Sequence, residues 1–381
     1  MDSQSCTLDE FIVAYPLWGK WKVSYTDGTH LPEDESIKLG EITIDASRDI
    51  AEHYPVLPFT FQFATDQDFE ECFSGLFCRC PELFQTKKQD DKTETEQNGA
   101  EDQKTQVNRA KKFIRNELTD SIVRTGLLRP EFCLMKDQTV EMRFLDVMEQ
   151  LSKAKDGYLI FVTDTSALRR GSISFLHKTL SKVLIWTVVP VFVMTEIQRQ
   201  VNELNKIWGQ STKPHLGKCS VLRQRPQVSC ISRELNHIRQ WRPLEMLTTL
   251  PEHLGQSNGK SNIDRLIIES TKNLKRDRGL HQGVYLLTGD KDMASLATLE
   301  NQSSLYIGAP SLPPKINSVR YDSHNGRLLL TPVHYLLWDL TQVFSTIYLE
   351  NEELSCTYKL VYYSQARGGF FANDVMEIRE G

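Results

Sequence analysis

Apolar and polar positions follow different rhythms along this chain, and the rhythm changes twice. Through residues 1–84 the pattern is mixed and leans towards strands. Trp18 to Tyr25 alternates in part and runs into Thr26-Asp27-Gly28, a turn signal, and Glu41 to Ile44 reads as a second strand. Residues 85–109 are rich in Lys, Asp, Glu, Gln and Thr and nearly free of apolar side chains, which predicts a disordered linker. Residues 110–156 read as a helical segment, with helices over Ala110–Thr125 and Met142–Lys155.

From residue 157 apolar runs alternate with amphipathic stretches. Strands are expected at Tyr158–Thr163, Val183–Val189, Val284–Thr288 and Ser304–Ile307. Helices are expected at Ser172–Leu180, from Pro190 through Trp208, at Ile263–Leu274 and at Ala294–Leu299. Such alternation predicts a parallel sheet covered by helices. Beyond Pro310 the rhythm changes again: Ile316–Tyr321 and Arg327–Leu330 flank His324-Asn325-Gly326, a hairpin signal. Pro332–Leu349 reads as an apolar helix and Thr357–Tyr363 as a strand, so residues 311–381 are expected to form an α+β extension.

The length of 381 residues suits two or three domains, and 40% hydrophobic with 25% charged residues is an ordinary globular composition. The net charge of −5 gives no global basic field, so any affinity for nucleic acid must be local. Acidic residues near the start and an apolar maximum of 12 residues (Val183–Met194) predict neither a secretory signal nor a membrane span. The eight scattered cysteines suggest a reducing, intracellular setting, cytoplasm or nucleus. Cys72, Cys78 and Cys80 with His53 do not have zinc spacing.

The candidate chemistry lies in acids at strand ends. Tyr158–Thr163 ends at Asp164, Val183–Val189 leads through Pro190 to Glu196, and Val284–Thr288 leads to Asp290 and Asp292. Asp264 opens the helix before that last strand. Functional groups of open α/β sheets gather at the carboxyl ends of strands. Clustered carboxylates repel, and a divalent cation such as Mg²⁺ or Mn²⁺ offsets that repulsion and activates water. Each acid also has a plainer reading: Asp164 and Asp290 as helix caps, Asp264 as a helix cap or first-turn charge, Glu196 as a solvated face, Asp292 as a structural residue.

The runs Phe161–Leu168 (FVTDTSAL), Val189–Ile197 (VPVFVMTEI), Asp264 at a helix start and Leu287–Ala294 (LTGDKDMA) resemble the successive motifs of PIN-domain nucleases. The resemblance covers about residues 157–310. It implies a PIN-like three-layer α/β/α sandwich with a short parallel sheet. It also implies a divalent-metal-dependent ribonuclease, less often a DNA flap nuclease, with Asp164, Glu196, Asp264 and Asp290 as the catalytic acids. Asp164, Glu196, Asp290 and Asp292 would hold Mg²⁺ or Mn²⁺, and Ser166 and Thr288 would orient carboxylates or phosphate. The stretch between Trp208 and Asp264 is longer than the minimal family pattern. No GxxxxGK(S/T) phosphate loop occurs, and Ser166 stands where a dehalogenase-type site would need the second Asp of Asp-x-Asp at the end of the first strand.

Residues 209–262 form a basic insertion, with eight Lys and Arg against three Glu, a local net of +5. Arg223, Arg225, Arg239, Trp241 and Arg242, with Lys272 and Lys275 beyond, are candidate contacts for single-stranded or structured RNA. An ordinary solvated loop is the competing reading. The alternative function is a catalytically weak or inactive PIN-like module that binds RNA or scaffolds an RNA-processing complex. Protein partners would then act through the N- and C-terminal regions.

Overall fold

A computed structural model of the chain describes residues 3–6, 17–25, 36–44, 58–79, 97–135, 144–153, 158–180, 183–196, 231, 234, 244–247, 260–277, 283–322, 327–344, 346–364 and 374–380. They fall into two compact units. One gathers the described residues within 1–128 and 311–381, the other those within 129–310. The fold is mixed α/β, but only one of its two large sheets is mainly parallel.

The first unit is an eight-stranded antiparallel sheet built from both ends of the chain. Its strands are β1 (Ser3–Cys6), β2 (Gly19–Tyr25), β3 (Ile37–Ile44), β4 (Phe59–Phe63), β11 (Lys315–Asn317), β14 (Thr346–Asn351), β15 (Cys356–Ser364) and β16 (Asp374–Glu380). Their order is β1-β16-β15-β14-β2-β3-β4-β11. The expected separate N-terminal region and C-terminal extension are therefore one body, joined where Leu349 pairs with Val23. Alternation drives this: Phe59, Phe61 and Phe63 are buried while Thr60 and Gln62 face away. Gly40 belongs to the same packing, since a Cβ there would meet the Gln62 carbonyl and lie 2.7 Å from the Phe61 ring.

Helices Asp66–Arg79, Gln97–Arg124 and Val333–Phe344 belong to this unit. Gln97–Arg124 starts inside the expected linker. Ile114, Leu118 and Ile122 form a buried stripe, and a helix nucleated there extends through Gln, Glu, Lys and Ala, all good helix formers. Residues 80–96 lie outside the described residues. The expected helix Pro332–Leu349 ends at Phe344, and Thr346–Asn351 is a strand whose β-branched, alternating side chains suit a half-buried sheet. A buried ion pair joins two of the helices: Arg124 donates to Asp339 at 2.8 Å, with side chains 2% and 0% exposed.

The second unit holds β5 (Glu131–Met135), β6 (Tyr158–Thr163), β7 (Leu184–Pro190), β8 (Leu244–Leu247), β9 (Val284–Thr288) and β10 (Ser304–Gly308), in the order β5-β10-β9-β6-β7-β8. All neighbours are parallel except β5, an antiparallel edge strand inside the expected helical segment. The unit thus begins at Arg129 rather than residue 157. Buried runs such as Val284–Thr288, apolar up to the closing Thr288, suit a strand covered on both faces. Helices Phe144–Ser152, Thr165–Arg169, Ser172–Thr179, Lys260–Asp277 and Lys291–Leu299 lie in this unit. Residues 191–196 are helical after Pro190, which closes β7, while 197–208 are outside the described residues. The insertion contributes β8, pairing Thr187 with Leu244. Outside these units' sheets, β12 (Val319–Asp322) and β13 (Arg327–Leu330) form the expected antiparallel hairpin.

Candidate functional site

Read along the five parallel strands, the sheet runs third, second, first, fourth, fifth in chain order. The order therefore reverses between β6 and β9. In open parallel sheets the crevice at that reversal, beyond the carboxyl ends, is where ligands bind. Asp164 follows β6 directly and Asp290 follows β9 by one residue more, so two expected acids stand there on neighbouring strands. The Asp164 amide donates to the Leu287 carbonyl at 3.1 Å, which stitches the two strand ends together.

Asp164 is buried, 6% exposed, and is the N-cap of the Thr165–Arg169 helix. Its Oδ1 accepts the Ala167 amide at 2.7 Å. Its Oδ2 accepts the Ser166 and Thr288 hydroxyls, each at 2.6 Å. Burial raises the Asp164 pKa above the ordinary carboxylate value. The two hydroxyls, the Ala167 amide and the Arg170 charge oppose that rise.

The supporting hydroxyls have second tasks. Ser166 Oγ accepts the Gly289 amide at 2.8 Å, and Thr288 Oγ1 accepts the Asp290 amide at 2.9 Å. Asp290 is exposed and caps the Lys291–Leu299 helix, its Oδ1 accepting the Asp292 and Met293 amides at 2.8 and 3.2 Å. Asp292 is exposed in the first turn. The capping role expected of Asp164 and Asp290 is therefore real, and it also sets their direction. Glu196 is drawn to the same corner rather than left on a solvated face: Thr165 Oγ1 donates to its Oε2 at 2.7 Å.

Asp264 is a correction. The helix begins at Lys260, so Asp264 is half-buried within it and neither opens nor caps it. That helix precedes β9 and packs against it, so its start lies towards the carboxyl ends of the strands. Among the described residues, no group of three or more His, Cys, Asp and Glu side chains is placed to hold a metal ion. Lys272 pairs with Glu300 at 2.6 Å, and Lys275 is half-buried on the same helix. Arg223, Arg225, Arg239, Trp241 and Arg242 lie outside the described residues.

Two residues, Arg170 and Glu234, escaped sequence reasoning. Arg170 Nη1 donates to the carbonyls of Gly289 and Ile307, both at 2.7 Å, beneath the strand ends. Gly289 is pinned between them: a Cβ there would meet the Arg170 guanidinium and lie 2.9 Å from Ser166 Oγ. Glu234, counted only as a counter-charge of the basic insertion, is 4% exposed and bonded to Ser174. No local spacing marks Arg170 or Glu234.

No protein-family model matches the chain, and no curated protein matches it. Among solved structures it is similar to a domain of a functionally unknown protein from Methanocaldococcus jannaschii, at 16% identity and a TM-score of 0.28, over 41% of this chain and 95% of that one. No helix among the described residues is long and apolar enough to cross a membrane.

Proposed function

We propose that the second unit is a PIN-like three-layer α/β/α nuclease domain that hydrolyses phosphodiester bonds of RNA with Mg²⁺ or Mn²⁺. The observation that carries this reading is the pair Asp164 and Asp290 at the strand-order reversal, linked through the Thr288 hydroxyl, with Glu196 fastened beside them. The donors are of the type such an ion takes, though no three of them meet around one point among the described residues. These are hard carboxylate oxygens, and a cation offsets the cost of keeping buried Asp164 ionised. Asp164, Glu196 and Asp290 would hold it, with Asp292 alongside. When bound, the ion supplies an activated water and neutralises charge on the phosphate.

The chain's own residues do the rest. Ser166 and Thr288 fix the Asp164 carboxylate by donating to one of its oxygens, and their remaining lone pairs fix the Gly289–Asp290 backbone. Asp290 keeps its cap bonds on Oδ1. The basic insertion and Lys272 and Lys275 supply charge for single-stranded or structured RNA. Incubating labelled RNA and DNA of one sequence with Mn²⁺, Mg²⁺ or EDTA tests the reading. RNA cleavage that EDTA abolishes is expected, and cleavage unaffected by EDTA overturns it.

One observation favours a second reading, an inactive RNA-binding or scaffold module: no three acids among the described residues are gathered for an ion. RNA binding without cleavage under every metal condition would select it.

A further inference from the structure

Glu234 lies far from the acids in sequence, yet its carboxylate accepts both the amide of Ser174, at 2.7 Å, and the Ser174 hydroxyl. Ser174 is the third residue of the Ser172–Thr179 helix. The N-cap of that helix is Gly171, at φ 67°, which makes no side-chain capping bond. Helix starts leave amides without partners and favour negative charge. Glu234, sixty positions away, supplies the cap that Gly171 lacks. Ile231, one helical turn before it, is fully buried, so the anchor is apolar as well as polar.

The anchored corner leads to the carboxylates. Gly171 turns the chain between the Thr165–Arg169 and Ser172–Thr179 helices, and the left-handed φ at this corner suits glycine. Arg170, next to it, holds the carbonyls of Gly289 and Ile307. Gly289 has no slack against Arg170 and Ser166, and it directly precedes Asp290. A displaced corner therefore displaces Gly289.

We propose that Glu234 is a positioning residue for the carboxylate pair: by capping the Ser172–Thr179 helix it sets the Arg170–Gly171 corner, and through Arg170 it holds Gly289 and Asp290 beside Asp164. Its consequence for metal binding, though not the coupling itself, rests on the nuclease reading.

Hydrogen exchange on the full-length protein tests the coupling. The Gly289 and Asp290 amides report it, because each donates to a side-chain hydroxyl of the cluster. In Glu234→Ala both exchange roughly tenfold faster or more, the change that loss of a bond to a charged group produces. Residues 171–175 exchange faster too, while β14 and β15 keep the wild-type rate. Glu234→Gln, which keeps an acceptor oxygen, restores most of the protection. Ser174→Ala, which keeps the amide bond, gives a smaller change in the same direction and decides the matter if Glu234→Ala fails to fold. Faster exchange confined to residues 171–175 reduces Glu234 to a local helix cap and overturns the proposal.

Mn²⁺ titration followed by the free-ion paramagnetic resonance signal separates the two readings. A severalfold weaker Mn²⁺ midpoint in Glu234→Ala supports both. Coupled exchange in a protein that takes up no Mn²⁺ sinks the metal reading and leaves the coupling standing. Wild-type Mn²⁺ uptake with uncoupled exchange does the reverse.

Discussion

Thr288→Val removes one hydroxyl and almost no volume, and the hydroxyl it removes joins the two strand ends. Thr288 Oγ1 donates to Asp164 Oδ2 at 2.6 Å and accepts from the Asp290 amide at 2.9 Å, and it is fully buried. A hydrogen bond to a charged group contributes about 1.5–3 kcal/mol, and stranding a partner adds to the loss. Asp290 is exposed, so water replaces its lost acceptor and the second term is small. The expected loss is about 2–4 kcal/mol at neutral pH. Urea denaturation of the second unit, beside Thr288→Ser, measures it, and the serine recovers most of the loss because it restores the hydroxyl. The loss also depends on pH. Burial holds the folded-state Asp164 pKa above its unfolded value, so its contribution to stability is present at low pH and is lost as pH rises through the folded pKa. The Thr288 bond favours the charged form and acts in the opposite sense. The Thr288→Val penalty is therefore largest above the folded Asp164 pKa and shrinks as pH falls through it. A penalty below about 0.5 kcal/mol at neutral pH, or one that grows on acidification, refutes this account of the corner.

Gly289→Ala places a methyl against Arg170 and Ser166, and should cost about 1–3 kcal/mol in urea denaturation, where a penalty near zero contradicts the packing described. Asp339→Leu leaves the buried Arg124 guanidinium without that carboxylate and should cost about 3–5 kcal/mol, whereas Arg124→Met with Asp339→Leu together should recover much of it in a double-mutant cycle. Phe61→Ala empties a fully buried site beside Gly40 and the Phe63 ring and should lower stability by about 3–5 kcal/mol in the same assay.

Four of the five parallel strands, all but β8, and the acids after them were legible because the signal is local. A buried strand of a parallel sheet is a short apolar run, and an acid capping the next helix follows at once, as at Thr163-Asp164 and Thr288-Gly289-Asp290. The antiparallel sheet was not legible, because pairing β2 with β14 is a matter of register across most of the chain. Thr346–Asn351 was hidden inside an apolar run that also fits a helix, and only the alternating burial of a sheet separates the two. The second half of the Gln97–Arg124 helix was legible as Ala110–Thr125, but its polar first half, which is supported from the apolar second half, was hidden. At the site, Asp164 and Asp290 were legible as acids at strand ends, and Ser166 and Thr288 only as what the PIN-domain resemblance implies. Arg170 and Glu234 were not legible, because what they do depends on backbone groups that only the fold brings near.

The central claim is that Asp164 and Asp290 together form a metal-dependent phosphodiester-cleaving site. Single-turnover cleavage of labelled RNA with Mn²⁺, by wild type, Asp164→Asn and Asp290→Asn at matched folded fractions, tests it most directly. The account predicts cleavage by wild type and a loss of at least about a hundredfold in each variant, with RNA binding kept. Wild-type cleavage that persists undiminished in Asp164→Asn would contradict it.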